Sequence, residues 1–176
     1  MVTSNDVHID EALKTRQFWL LWIVLCFNVT AGIGVIGVAK TMINDIFGDL
    51  VIVTAAFAGT YVLMISVFNM VGRFFWASTS DFIGRKNTYQ CFFILGTILY
   101  LSIPYFASSG GAGALIGFYL ATMIIFTMYG GGFATIPAYL ADMFGTLHVG
   151  GIHGRLLTAW ATAGVLGPFA ITFLRN

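Results

Sequence analysis

The chain has 176 residues, of which 59% are hydrophobic and only 9% charged, at a mean hydropathy of +0.91. Soluble domains carry about 25% charged residues, so this chain lacks the polar surface to fold as one. The formal net charge of +1 leaves no basic face for nucleic acid.

The polar opening stretch, MVTSNDVHIDEALKTRQ, has neither the basic start nor the apolar middle of a signal peptide. Residues 1–17 are expected to form a cytoplasmic segment. A bilayer-crossing helix needs about 20 mostly apolar residues, and the uncharged runs place five spans near 18–39, 50–80, 88–107, 114–141 and 156–174. Barrel strands would be about 10 residues of alternating polarity, whereas these runs are apolar all round. The expected fold is all-α, a polytopic transmembrane helical bundle.

Three glycines in NVTAGIGVIG (28–37) point to close helix packing or a bend in the first span, with Asn28 a candidate cavity residue. SSGGAG (108–113) reads as the turn between the third and fourth spans. In the fourth, Gly130, Gly131 and Gly132 precede Pro137, a pattern for either a gating hinge or tight packing, with Tyr129 and Phe133 as candidate substrate-side residues. Gly164, Gly167 and Pro168 suggest a kink in the last span. Trp19, Trp22, Trp76, Tyr105 and Phe106 fall near predicted interfaces and read as belt aromatics.

Short loops rich in Lys and Arg favour the cytoplasm. Lys14 and Arg16, then Arg85 and Lys86, then Arg155 fall on one side of alternating helices. That side is assigned inside, with the C-terminus outside. Cys26 and Cys91 lie in apolar runs and are expected to be small buried hydrophobes. His148 and His153 have no acid or cysteine converging with them, so no metal is expected, and no cofactor either. No nucleophile, base and orienting acid come together, and no enzyme is expected.

The chemistry concentrates in the second span and the loop after it, VFNMVGRFFWASTSDFIGRKN (67–87). Arg73 sits inside the apolar run, at a cost of about 2.5–3.5 kcal/mol near mid-bilayer. Eight residues of helix separate it from Asp81, about 12 Å. Asn69 and Ser66 continue its face toward the N-terminus. No acidic residue lies within the five spans to neutralise it, since Asp142 is at the end of the fourth. An intramembrane guanidinium with no partner suits a carboxylate ligand held by two hydrogen bonds. A structural pairing with a carboxylate or helix-end carbonyls elsewhere is the alternative.

The loop Ala77 to Lys86 resembles the G-x-x-x-D-x-x-G-R-[RK] loop of the major facilitator superfamily, with Ala77 in place of the first glycine. The resemblance gives Asp81, Gly84, Arg85 and Lys86 a gating role. Further stretches, TRQFWLLWIVLCFNVTAGIGVIGVAK, MYGGGFATIPAYLADMFGT and GGIHGRLLTAWATAGVLGP, extend the likeness to the C-terminal half of the oxalate/formate antiporter family and cover about residues 12 to 174. It implies a partial facilitator fold, helices seven to eleven of twelve, whose missing N-terminal half is a required partner. It also implies an arginine at Arg73 on the substrate carboxylate. Related monocarboxylate transporters often carry aspartate where this sequence has Asn69, which argues against proton coupling there. Oxalate-type members carry a second cation in the eleventh helix, where LLTAWATAG offers Trp160 instead. The expected function is therefore alternating-access transport of a small organic anion across the cell membrane. A monocarboxylate such as lactate, pyruvate or formate is favoured over oxalate/formate exchange. A non-transporting membrane protein or interaction partner is the competing reading.

Overall fold

The computed structural model describes residues 6–175. The first five residues of the expected N-terminal segment, and Asn176, lie outside the described residues. Seven helices follow in order: α1 (Ile9–Ala12), α2 (Arg16–Phe47), α3 (Ala55–Ile83), α4 (Arg85–Ser109), α5 (Gly111–Phe144), α6 (Val149–Leu156) and α7 (Thr158–Arg175). No strand occurs among the described residues. Five stretches are long and apolar enough to cross a bilayer: α2, α3, α4, α5 and the run Val149–Leu174. With no water in the hydrocarbon to satisfy backbone N–H and C=O groups, helices meet the requirement within each segment. The chain is a multi-pass integral membrane protein.

Helix ends follow local chemistry. The Oγ1 of Thr15 accepts from Phe18 N at 3.3 Å and opens α2, and Thr54 does the same for Phe57 N at 3.2 Å to start α3. At about 1.5 Å per residue the 32 residues of α2 reach about 48 Å, well beyond a hydrocarbon core of about 30 Å. The apolar run ends at Lys40, yet the helix continues to Phe47. The turn expected over 108–113 is tighter than its glycine content requires. Only Gly110 separates α4 from α5, with Gly110 and Gly111 both at positive φ.

The chain divides into two compact units, one made of the segments up to Gly34 and from Gly132 onward, the other of Val35–Gly131. In the first, α2 and α7 meet through glycines. A Cβ at Gly34 would lie 3.0 Å from Ile171, and one at Gly167 would lie 2.9 Å from the Thr30 carbonyl. Trp22 adds an indole hydrogen bond to Thr158 Oγ1 at 2.9 Å. The N-terminal segment docks on the α5–α6 turn. Val7 N donates to Phe144 O at 2.9 Å, Asp6 accepts from Leu147 N at 3.0 Å, and His8 meets His148 edge-on at 5.1 Å between centroids.

In the second unit, Phe47, Tyr61 and Phe118 are fully buried. Phe118 stacks T-shaped on Phe47 at 5.4 Å. The decisive contact lies between α3 and α5. A methyl added at Gly72 would strike the Thr127 backbone, and one at Gly130 would strike the Asn69 carbonyl. Gly131 lies under Trp76, whose Nε1 donates to Thr127 Oγ1 at 3.1 Å. Helix α5 runs unbroken through Gly130, Gly131 and Pro137, so Gly130 and Gly131 serve close packing. Trp76 is an interhelical residue rather than a belt residue.

One expectation is corrected. Cys26 is buried, but Cys91 is exposed. A lipid-facing position of a membrane helix is as apolar as a buried one, so an apolar run does not separate the two.

Gly72→Ala is expected to lower thermal stability in detergent by about 1–3 kcal/mol, the cost of overpacking against a rigid backbone. Gly59, with open space around its added Cβ, is the control. Gly59→Ala should be neutral or stabilising by up to about 1 kcal/mol. Equal melting temperatures for the two variants would contradict the α3–α5 contact.

Candidate functional site

Arg73 lies near the middle of the unbroken helix α3. Its Nε donates to the Oδ1 of Asn69, one turn earlier, at 3.2 Å. That bond orients the guanidinium through Nε and leaves its two terminal nitrogens open to a ligand. Ion pairs among the described residues include Lys14 with Glu11 and Arg85 with Asp81, and none involves Arg73. Arg73 therefore has no carboxylate partner among the described residues. Ser66, Asn69, Met70 and Arg73 line an open cavity of about 290 Å³. The i, i+4 and i+7 spacing of Ser66, Met70 and Arg73 puts them on one helix face. Ser66 and Asn69 were legible as a polar stripe. Met70 was not, though the same spacing marks it.

The α3–α5 glycine contact sets where this face sits. Gly72 and Gly130 bring the backbone of α5 against the segment carrying Asn69 and Arg73. Tyr129 thereby neighbours the pair, and is itself buried, edge-on to Phe126 at 6.0 Å. Gly72 admits the backbone of α5 at Thr127. The two remaining candidates belong to the other unit. Asn28 is half-buried on α2, and Trp160 is 48% exposed on α7, its ring edge-on to Phe133 at 5.7 Å.

The loop after α3 is one residue long. Gly84, at φ 86° and ψ 150°, ends α3 and starts α4, a region of backbone space open to glycine almost alone. Its N–H donates to Ser80 O at 3.1 Å, and its carbonyl accepts from Thr88 Oγ1 at 3.0 Å. Arg85 folds back to donate to Asp81 Oδ1 at 2.5 Å and to the buried Ser80 Oγ. Ser80 was not anticipated from the sequence. Lys86 is exposed. No group of three or more metal-ligating side chains occurs among the described residues.

No family model matches the chain. It is similar to the oxalate:formate antiporter of Oxalobacter formigenes, with 31% identity over 167 residues, or 95% of this chain and 38% of that protein. It is also similar to YhjX, an uncharacterized MFS-type transporter of Escherichia coli (strain K12), with 27% identity over 147 residues, or 82% of this chain and 34% of that protein. The chain thus spans a little over a third of the length of the curated relatives it matches. Both relatives are transporters by name, and five membrane-length helices without strands accompany the likeness. The chain is similar to major facilitator transporters, and its five membrane-length helices fit part of a facilitator fold.

Proposed function

We propose that the chain forms part of a secondary transporter of small organic anions, in which Arg73 holds the substrate carboxylate. The observation that carries this reading is the Arg73 guanidinium. It is fixed at Nε by Asn69, opens onto a cavity of about 290 Å³, and lacks a carboxylate partner among the described residues. A planar fork with two unengaged edges suits a carboxylate better than a point charge would. The name of the Oxalobacter relative, an oxalate:formate antiporter, points to the same substrate class.

Within that class the reading favours monocarboxylates such as lactate, pyruvate or formate. Trp160 stands where the resemblance leads one to look for a second cation, and a monoanion on Arg73 makes a neutral pair. Asn28 and Tyr129 are further candidate cavity residues. The substrate site would complete itself against the N-terminal half of the transporter, with the halves rocking to expose it to either side of the cell membrane. The Asp81–Lys86 loop would gate that motion, with the Arg85–Asp81 pair and Gly84 holding it closed.

Uptake of labelled lactate, pyruvate, formate and oxalate into vesicles tests this, using the chain alone and with a matching N-terminal half. With the half present, Arg73→Ala should cut uptake about ten- to more than a hundredfold, the loss of charged hydrogen bonds worth about 1.5–3 kcal/mol. Arg73→Lys should recover only part of it. Uptake unaffected by Arg73→Ala would make the arginine structural. Silence in every combination, with the chain inserted, would favour the non-transporting reading.

Two further variants probe the neighbours. Asn69→Asp places a carboxylate on Arg73, so uptake should fall at neutral pH. It should recover as the pH drops and the aspartate protonates, whereas the parent shows no such rise. Asp81→Asn removes the charge partner of Arg85 and leaves its bond to Ser80. Since the pair is open to water on its Asp81 side and such pairs are worth about 0.2–1 kcal/mol, trypsin cleavage at this loop in inside-out vesicles should quicken by at most about fivefold.

A further inference from the structure

A second cavity, of about 310 Å³, opens where α2 begins, lined by Lys14, Thr15, Arg16, Trp19, Leu20 and Ile23. It has two kinds of wall. Lys14 and Arg16 supply the cationic end. Trp19, Leu20 and Ile23, each exposed by 45% or more, supply an apolar stripe running down the helix at i, i+1 and i+4. The indole of Trp19 is pinned, its Nε1 donating to Leu13 O at 2.9 Å, so its apolar face borders the stripe in a fixed position. The first helix turn is already served, because Thr15 caps Phe18 N. The binding capacity therefore comes from the side chains. Lys14 pairs with Glu11 at 2.7 Å, with both side chains largely exposed, and that carboxylate raises the Lys14 pKa above the ordinary lysine value. Arg16 makes no side-chain hydrogen bond or ion pair among the described residues.

We infer that this cavity is a binding site for one anionic phospholipid, with the headgroup phosphate on Arg16 and Lys14 and an acyl chain along Trp19, Leu20 and Ile23. The cations sit at the water-facing end of a membrane-length helix and the apolar stripe descends into its span. That order of charge, aromatic and aliphatic groups matches a phospholipid from headgroup to tail. A soluble phosphate would use the cations and leave the stripe unexplained. Glu11 shares Lys14 with the headgroup, so Arg16 is the stronger determinant.

The test uses tryptophan quenching. The chain is placed in phosphatidylcholine vesicles doped with rising fractions of brominated phosphatidylglycerol, or of brominated phosphatidylcholine. Trp19→Phe identifies the quenching that belongs to Trp19. Saturable quenching at low fractions of the anionic lipid, with only gradual quenching by the zwitterionic one, is the expected result. Arg16→Gln should raise the half-saturating fraction about fivefold, the effect of one basic residue at an anionic surface. Arg16→Lys should stay close to the parent, as should Lys40→Gln, an exposed cation at another place on α2. Equal quenching by the two lipids would overturn the inference. So would an Arg16→Gln curve matching the parent, or a Lys40→Gln shift as large as that of Arg16→Gln. Displacement by dissolved glycerol phosphate would replace the lipid with a soluble anion. None of these readouts depends on Arg73.

Discussion

The close approach of α3 and α5 is the constraint on which the Arg73 face depends. In a bilayer, lipid tails are as apolar as leucine, so helices gain little from hiding apolar side chains against one another. Association must come from van der Waals contact and interhelical hydrogen bonds, and both need backbones near each other. Gly72 and Gly130 remove the Cβ atoms that would hold the two helices apart. Once the helices are that close, Trp76 reaches Thr127 and seats itself on Gly131. The consequence for chemistry is register. Gly72 adjoins Arg73 in sequence and Gly130 touches Asn69, so the packing elements and the polar pair are interleaved on the same turn. A shift of one residue in the α3–α5 contact would turn Arg73 through about 100° around its helix axis.

The loop between α3 and α4 applies the same economy. A reversal through a single residue requires a backbone conformation that side-chain-bearing residues avoid, and Gly84 supplies it. Arg85 then spends its hydrogen bonds on Asp81 and Ser80, both in the last turn of α3. The cations of this loop are therefore unequal. Arg85 ties α4 to α3, while Lys86 stays exposed. In the proposed gating role, opening would cost the Arg85 bonds but would leave Gly84 as the pivot.

Much of this was legible in the sequence, for definite reasons. Spans are readable because the bilayer demands length and apolarity, which a single chain displays directly. The polar face of α3 is readable because helical periodicity makes Ser66, Asn69 and Arg73 neighbours without any knowledge of the fold. What depended on another helix was harder. The glycine triplet was equally compatible with a hinge and with packing, and the choice rested on where Asn69 and Trp76 sit in a helix some sixty residues away. Trp76 looked like a belt residue because its interhelical partner, Thr127, is distant in sequence. Cys91 looked buried because hydropathy reads burial in lipid and burial in protein as one property. The docking of Asp6, Val7 and His8 on the α5–α6 turn left no periodic signal at all.

On the proposed reading, the charge of the substrate follows from the charge of its site. One guanidinium and one carboxylate form a neutral pair, which a membrane-embedded cavity tolerates and can carry across. Oxalate would leave one negative charge uncompensated where the dielectric is low, and such a charge is costly unless paired or hydrogen-bonded. Asn69 cannot remove that charge, since its amide is neutral and its Oδ1 is already taken by Arg73. Dianion transport would therefore require a second cation, either from the part of the transporter beyond this chain or as a proton carried with the substrate. Lactate or formate needs neither, and that asymmetry is why the monocarboxylate reading stands first.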